Sequence, residues 1–145
     1  MIDIHCHLFP SIDDGPETLD AAIALARHAV ASGITTSIVT PHILPRRYDN
    51  TLAGIREAAA GFRAELATRQ IPLTIGYAAE VRIGPEVIAL AEEQTLPLLG
   101  TADGYGIVLL EFPDSHILPG SDKLAAWLLG RNIRPMIAHP ERNKE

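Results

Sequence analysis

Five short apolar runs, each closed within two residues by a histidine or a glutamate, constrain this chain more than anything else in it. They lie at residues 1–4, 36–40, 73–79, 106–110 and 135–138, and the residues that close them are His5, His42, Glu80, Glu111 and His139. Apolar runs this short read as buried strands. The stretches between them have helical spacing, from Pro16 or Glu17 to about 32 and over 51–69, 85–93 and 122–131. The first carries a stripe of Leu19, Ala22, Ile23, Ala26 and Val30 and stops at Gly33. Asn50 or Thr51 caps the second, Pro85 opens the third, and Trp127 is expected to pack the fourth on the sheet. Strand–helix alternation implies a parallel sheet, and parallel α/β folds build their sites at the carboxyl ends of the strands.

The first run delivers two histidines, His5 and His7, one residue apart. Positions i and i+2 at a strand end point to the same side, so both imidazoles aim at one point. Asp13 or Asp14, from the Asp-Asp-Gly-Pro turn at 13–16, closes in from the loop. Cys6 lies between the histidines, faces the other way and reads as a small buried hydrophobe. His28, on a helix, and His116, in a loop, read as structural.

Histidines and carboxylates in this number exceed what one ion uses, so two or three divalent ions sharing bridging carboxylates are expected. Imidazole with carboxylate suits manganese, iron or zinc better than calcium. Clustered divalent ions activate water and clamp phosphoryl oxygens, so phosphate-ester hydrolysis is the leading chemistry. No Cys-x5-Arg loop or Gly-x4-Gly-Lys-Ser/Thr loop competes with that reading. Arg142, three residues after His139, is placed to hold phosphate oxygens. Arg46, Arg47 and Tyr48 follow His42 and are candidates for recognising an anionic or aromatic substrate.

Bulk properties narrow the class. With 47% hydrophobic and 21% charged residues, the 145-residue chain is one globular domain, 1–145. A net charge of −6 without a basic run argues against nucleic acid as a partner. One cysteine rules out a disulfide framework. No signal peptide or membrane-length apolar run is visible, so a cytoplasmic protein without membrane insertion is expected. Five strands are too few to close a (β/α) barrel, which needs ~200 residues or more. The expectation is an open or truncated barrel.

Six blocks carry a resemblance: Met-Ile-Asp-Ile-His-Cys-His at 1–7, Asp-Asp-Gly-Pro at 13–16, Thr-Pro-His at 40–42, Gly-Tyr-Ala-Ala-Glu at 76–80, Leu-Leu-Glu-Phe at 109–112 and Ile-Ala-His-Pro-Glu-Arg at 137–142. In order and spacing the chain resembles the polymerase and histidinol phosphatase (PHP) superfamily, and within it the bacterial PHP-type tyrosine-protein phosphatases of capsule and exopolysaccharide loci. His-x-His alone is shared with amidohydrolases; the six blocks together are specific. The resemblance implies a distorted (β/α)7 barrel, here its first five βα units, with a manganese-dependent trinuclear centre. It implies His5, His7, Asp14, His42, Glu80, Glu111 and His139 as metal ligands and Arg142 as the catalytic, phosphate-contacting arginine. The substrate it implies is phosphotyrosine on the tail of a bacterial tyrosine kinase that controls polysaccharide export.

One departure stands out: the family closes its site with an Asp-x-His motif, and none follows Arg142 here. A partial metal site and weak activity are therefore expected of a monomer, with homo-oligomer formation through the open sheet edge as a partial repair. The rivals are another PHP phosphoesterase of the histidinol-phosphatase kind, and an inactive metal-binding remnant. A nuclease is disfavoured by charge, and an amidohydrolase because Lys123 and Lys144 are not at strand ends.

Overall fold

The computed structural model describes residues 1–145. Its elements are β1 (Ile2–Cys6), α1 (Leu19–Ala31), β2 (Thr36–Val39), β3 (His42–Ile43), α2 (Leu52–Thr68), β4 (Thr74–Tyr77), β5 (Glu80–Arg82), α3 (Glu86–Glu92), β6 (Gly100–Ala102), β7 (Tyr105–Glu111), α4 (Ser121–Leu129) and β8 (Ile133–Ile137), then a 3-10 turn, Pro140–Arg142. The result is a mixed α/β fold built on parallel pairing. One sheet runs β1-β2-β4, and the other holds β3, β5, β7 and β8 in parallel with β6 antiparallel at its side.

Two of the expected strands end early and are each followed by a further short strand. The second ends at Val39 and resumes at His42, because Pro41 has no N–H to give the ladder. The third ends at Tyr77 and resumes at Glu80, so Glu80 opens a strand instead of following one. Backbone bonds bridge both gaps: Ala78 N–H donates to the Val39 carbonyl at 2.9 Å, and Glu80 N–H to that of Pro41 at 3.2 Å. The parallel neighbours therefore follow chain order: β1, β2 with β3, β4 with β5, β7, β8.

β6 was not expected from the pattern, although its turn was there to be read. Asp103 and Gly104 both take positive φ, 53° and 81°, between the antiparallel partners Ala102 and Tyr105. Asp-Gly in a two-residue hairpin loop favours this geometry. β6 pairs with the first residues of β7, leaving Leu109–Glu111 to pair with β5.

Helix starts are set by caps. α1 begins at Leu19, not at Pro16 or Glu17, because Thr18 accepts the Ala21 N–H. The carbonyls of Pro16 and Glu17 are engaged instead by the N–H and hydroxyl of Ser11. Thr51 caps α2 by accepting from Gly54. The helices bury Ala22, Ile23, Ile55, Phe62 and Leu128 against the strands, and the Phe9 and Phe62 rings meet edge to face at 5.9 Å. Trp127 is half-buried against this core, with the Arg131 guanidinium 3.7 Å from its ring centre. No helix is long and apolar enough to cross a membrane.

β1 pairs only with β2, and β8 only with β7. Ile2 and Ile4 on one free edge are 66% and 46% exposed, and Met136 and Ile137 on the other 41% and 38%.

Truncating Phe62 to alanine opens a cavity beside Phe9 and is expected to cost ~3–5 kcal/mol. Thr51→Ala, which removes only a cap, is expected to cost about 1 kcal/mol. Urea unfolding of both variants checks the ranking.

Candidate metal centre

A charged carboxylate taken out of water needs partners. Glu80, 1% exposed, has four imidazoles around it. Its Oε2 lies 2.9 Å from His5 Nε2, 3.2 Å from His7 Nε2 and 3.7 Å from His42 Nδ1, and its Oε1 lies 2.7 Å from His139 Nε2. Burial alone would raise the Glu80 pKa, but hydrogen bonds from His5 and His7 hold it well below the usual carboxylate range. Glu111 joins from β7, with Oε2 3.6 Å from His42 Nδ1 and Oε1 4.0 Å from His139 Nε2. Asp14, half exposed, places Oδ1 3.4 Å from His42 Nε2.

Six of the seven expected ligand residues therefore meet in three linked groups, His5–His7–Glu80, His7–Asp14–His42 and His42–Glu80–Glu111, and the seventh, His139, joins them through Glu80 Oε1 at 2.7 Å. Two donors bound to one divalent ion at ~2.1 Å lie roughly 3.0–3.4 Å apart in octahedral or tetrahedral geometry. The separations above, 2.7 to 4.0 Å, bracket that spacing. His42 Nδ1 and Glu111 Oε2 are moreover buried without a hydrogen-bond partner. His42 Nδ1 has no partner, and Glu111 Oε2 has only the Arg82 guanidinium, 3.1 Å away without hydrogen-bond geometry, so a cation beside them satisfies both. The residues present thus fit divalent cations.

The loop after β1 contributes a residue whose role the sequence left open. Asp13, with a side chain 1% exposed, accepts from His7 Nδ1 at 2.7 Å, from the His42 N–H at 3.1 Å and from the Gly15 N–H at 2.9 Å. It fixes the His7 ring so that Nε2 faces the cluster, the usual carboxylate–histidine arrangement behind a metal site. A side chain at Gly15 would meet the His7 carbonyl at 2.9 Å, so only glycine lets the loop close this tightly. Burial alone would lower the His7 pKa, but Asp13 and Glu80 reverse this and raise it to about 10. Asp13 is held below the usual carboxylate range by His7 and the two N–H donors, which outweigh its burial. Asn50 Nδ2 ties the loop down by donating to the carbonyls of Ile12 and His42, at 2.9 and 2.8 Å.

The cluster floors an open cavity of about 660 Å³ with a mainly polar wall. Arg142 lines it, as do Arg47 and Tyr48. Tyr48 stacks on His42 at 5.7 Å, and the Arg47 guanidinium lies 5.1 Å from the Tyr48 ring centre. Arg46 does not line the cavity, contrary to expectation: it forms the corner of the turn at φ 69°, its N–H bonded to Asp49, with the residue exposed. His28 and His116 are exposed and away from the cavity, and Cys6 points from it, its thiol directed at the Ile38 carbonyl. Burial, then the charge of Asp3, pushes that thiol up to about 12, so it stays protonated. Sequence reasoning missed Arg82 and Asp114, which also line the cavity. The signal for Arg82 was its place two residues after Glu80 on one strand.

Residues 1–145 match the family described as capsular polysaccharide synthesis, CpsB/CapC. The chain is 42% identical over 146 residues to the tyrosine-protein phosphatase YwqE of Bacillus subtilis (strain 168), covering 100% of this chain and 56% of that protein. It is 27% identical over 142 residues to the tyrosine-protein phosphatase CpsB of Streptococcus pneumoniae, covering 98% of this chain and 57% of that protein. Its fold matches a chain from the crystal structures of YwqE and CpsB, unique metal-dependent tyrosine phosphatases, with a TM-score of 0.89 and 38% identity, over 99% of this chain and 57% of that chain. The chain thus spans a little over half the length of these relatives.

Because His7 binds its proton more tightly folded than unfolded, its contribution to the metal-free fold is full below about pH 6.5 and fades as pH rises toward about 10. Asp13 and Glu80 bind protons less tightly when folded, so their contribution is present above their ordinary values of 3.8 and 4.5 and is lost on acidification. Urea midpoints of EDTA-treated protein are therefore expected to be highest between about pH 4.5 and 6.5. In Asp13→Asn the decline above pH 6.5 is expected to flatten and the His7 ring to titrate lower by NMR. A midpoint that climbs from pH 6.5 to 9 in wild type would contradict this.

Proposed function

The chain belongs to the CpsB/CapC family of capsular polysaccharide synthesis, and we propose that it is a metal-dependent protein-tyrosine phosphatase. Its substrate in this reading is phosphotyrosine on the tail of a bacterial tyrosine kinase that governs capsule or exopolysaccharide synthesis. Its five successive parallel units are then the first staves of a distorted (β/α)7 barrel. His5, His7, Asp14, His42, Glu80, Glu111 and His139 hold two or three divalent ions, Mn²⁺ first, with iron or zinc as substitutes. The observation that carries the reading is the buried Glu80 carboxylate ringed by four histidines, beside His42 Nδ1 and Glu111 Oε2, which are buried without a hydrogen bond.

When bound, such ions supply Lewis acidity that activates water and offsets charge on the phosphoryl group. The chain's own residues do the rest. Glu80 and Glu111 offer acceptor oxygens toward the cluster, and Asp13 keeps Nε2 of His7 turned to it. Arg142 and Arg47, on the cavity wall, offer paired N–H donors to phosphoryl oxygens. Tyr48, stacked on His42, presents an aromatic face against which a phenyl ring packs. The cavity is open, which suits a side chain carried on a polypeptide.

Purified protein is expected to bind at least two Mn²⁺ per chain and to hydrolyse para-nitrophenyl phosphate and a phosphotyrosine peptide only with metal. Glu80→Gln should lower turnover by more than about 100-fold, beyond the 10–100-fold usual for an outer partner. Arg142→Met should lower kcat/KM by about 10–100-fold, the loss of a charge-assisted pair. Protein that takes up no cation and releases no phosphate would refute the reading. Faster turnover of histidinol phosphate than of the peptide would move the activity to a different phosphoesterase.

A further inference from the structure

Arg82 lines the cavity but has none of the roles assigned so far. The backbone fixes where it stands. Arg82 and Glu111 are direct partners in the β5–β7 register, and the Ile83 N–H donates to the Glu111 carbonyl at 2.9 Å. Opposed residues share a face of the sheet, as do residues two apart on a strand, so Glu80, Arg82 and Glu111 share one. The guanidinium meets the neighbouring carboxylate there: Nη2 lies 3.1 Å from Glu111 Oε2. That oxygen is the one nearest His42 Nδ1, and its contact with the guanidinium is an ion pair without hydrogen-bond geometry. Nε of Arg82 is buried and unpartnered. Arg47 and Arg142 share the wall, but Arg82 is the one arginine there that pairs with a carboxylate of the cluster.

We infer that Arg82 is a positioning residue that acts through Glu111. It holds the Glu111 carboxylate, by Oε2, in the rotation that lets it share a divalent cation with His42 and Glu80. Glu80 and Glu111 are like charges, and without a fixed cation beside it Glu111 gains by turning away. A planar guanidinium restrains rotation better than a single ammonium point charge. The inference rests on the metal reading above and adds to it a residue outside the ligand set.

Calorimetric Mn²⁺ titration, with the EPR signal of unbound Mn²⁺ as a second readout, tests it on wild type, Arg82→Met, Arg82→Lys, Glu111→Gln and the Arg82→Met/Glu111→Gln double variant. Urea unfolding of each metal-free protein shows that it is folded. Arg82→Met is expected to weaken Mn²⁺ binding by about 10–100-fold, as loss of an outer partner does. Arg82→Lys should fall between, and Arg82→Met should add little once Glu111 is glutamine. Should Arg82→Met fail to fold, Arg82→Lys must still bind Mn²⁺ more weakly than wild type. Unchanged Mn²⁺ affinity in the Arg82 variants overturns the inference, as does an equal loss with and without Glu111. Intact Mn²⁺ affinity with weakened inhibition by inorganic phosphate would make Arg82 an anion contact and overturn the positioning role. Wild-type protein that binds no Mn²⁺ fails the metal reading itself, an outcome distinct from a working site that ignores Arg82.

Discussion

The buried charge of Glu80 is what the rest of the site is arranged to accommodate. An isolated carboxylate in a dry interior is unfavourable by many kcal/mol and would be expected to take up a proton. Here four imidazoles surround it, and its pKa falls. Those rings come from β1, the residue just after it, the start of β3 and the segment beyond β8. Segments far apart in sequence must therefore reach one point, and parallel pairing in chain order brings them there. In the metal-free protein the rings stabilise this anion by N–H donation, and on losing those protons the same nitrogens present lone pairs to cations.

The two strand breaks contribute to this. Glu80 lies three residues past the end of β4; after the break it opens β5 and pairs with His42 across the β3–β5 ladder. Glu80 also pairs with Leu109 in β7, which sets Glu111 two residues further along. Pro41 forces one break by lacking a donor, and the bonds from Ala78 and Glu80 carry the ladder across both. Asp13 then reaches over from the loop and accepts the His42 N–H, so the first and second units are joined above the gap.

How much of this was legible follows from which rule governs each residue. His5, His7, Glu80, Glu111 and His139 were placed by the two-residue period of strands and by the carboxyl-edge rule, both of which a sequence displays. His42 was placed as well, although the break before it was not. The choice between Asp13 and Asp14 depends on loop curvature, and that curvature depends on contacts with Gly15 and His7 that no periodicity encodes. The structure gives the two residues different places: Asp13 buried behind His7, and Asp14 half exposed before His42. Arg46 was misjudged for the same reason, since adjacent turn residues point in different directions and only Arg47 and Tyr48 reach the cavity. Arg82 obeyed the strand period and was overlooked because an arginine near a strand end usually reads as solvated.

The sign of the cavity finally bears on the order in which anything binds there. Asp14, Glu80, Glu111 and Asp114 line it together with Arg47, Arg82 and Arg142, and Arg82 is engaged with Glu111. A phosphate monoester carries up to two negative charges, and carboxylates on the cavity floor repel it over the first few ångströms. Arginines on the wall alone do not overcome this, because Arg82 is already paired with Glu111 and the three remaining carboxylates outnumber Arg47 and Arg142. Divalent cations at the floor reverse the local sign and make the same carboxylates an asset. In the proposed chemistry, then, cations enter first and the phosphorylated side chain second. The arginines contribute to affinity only after the floor has been neutralised.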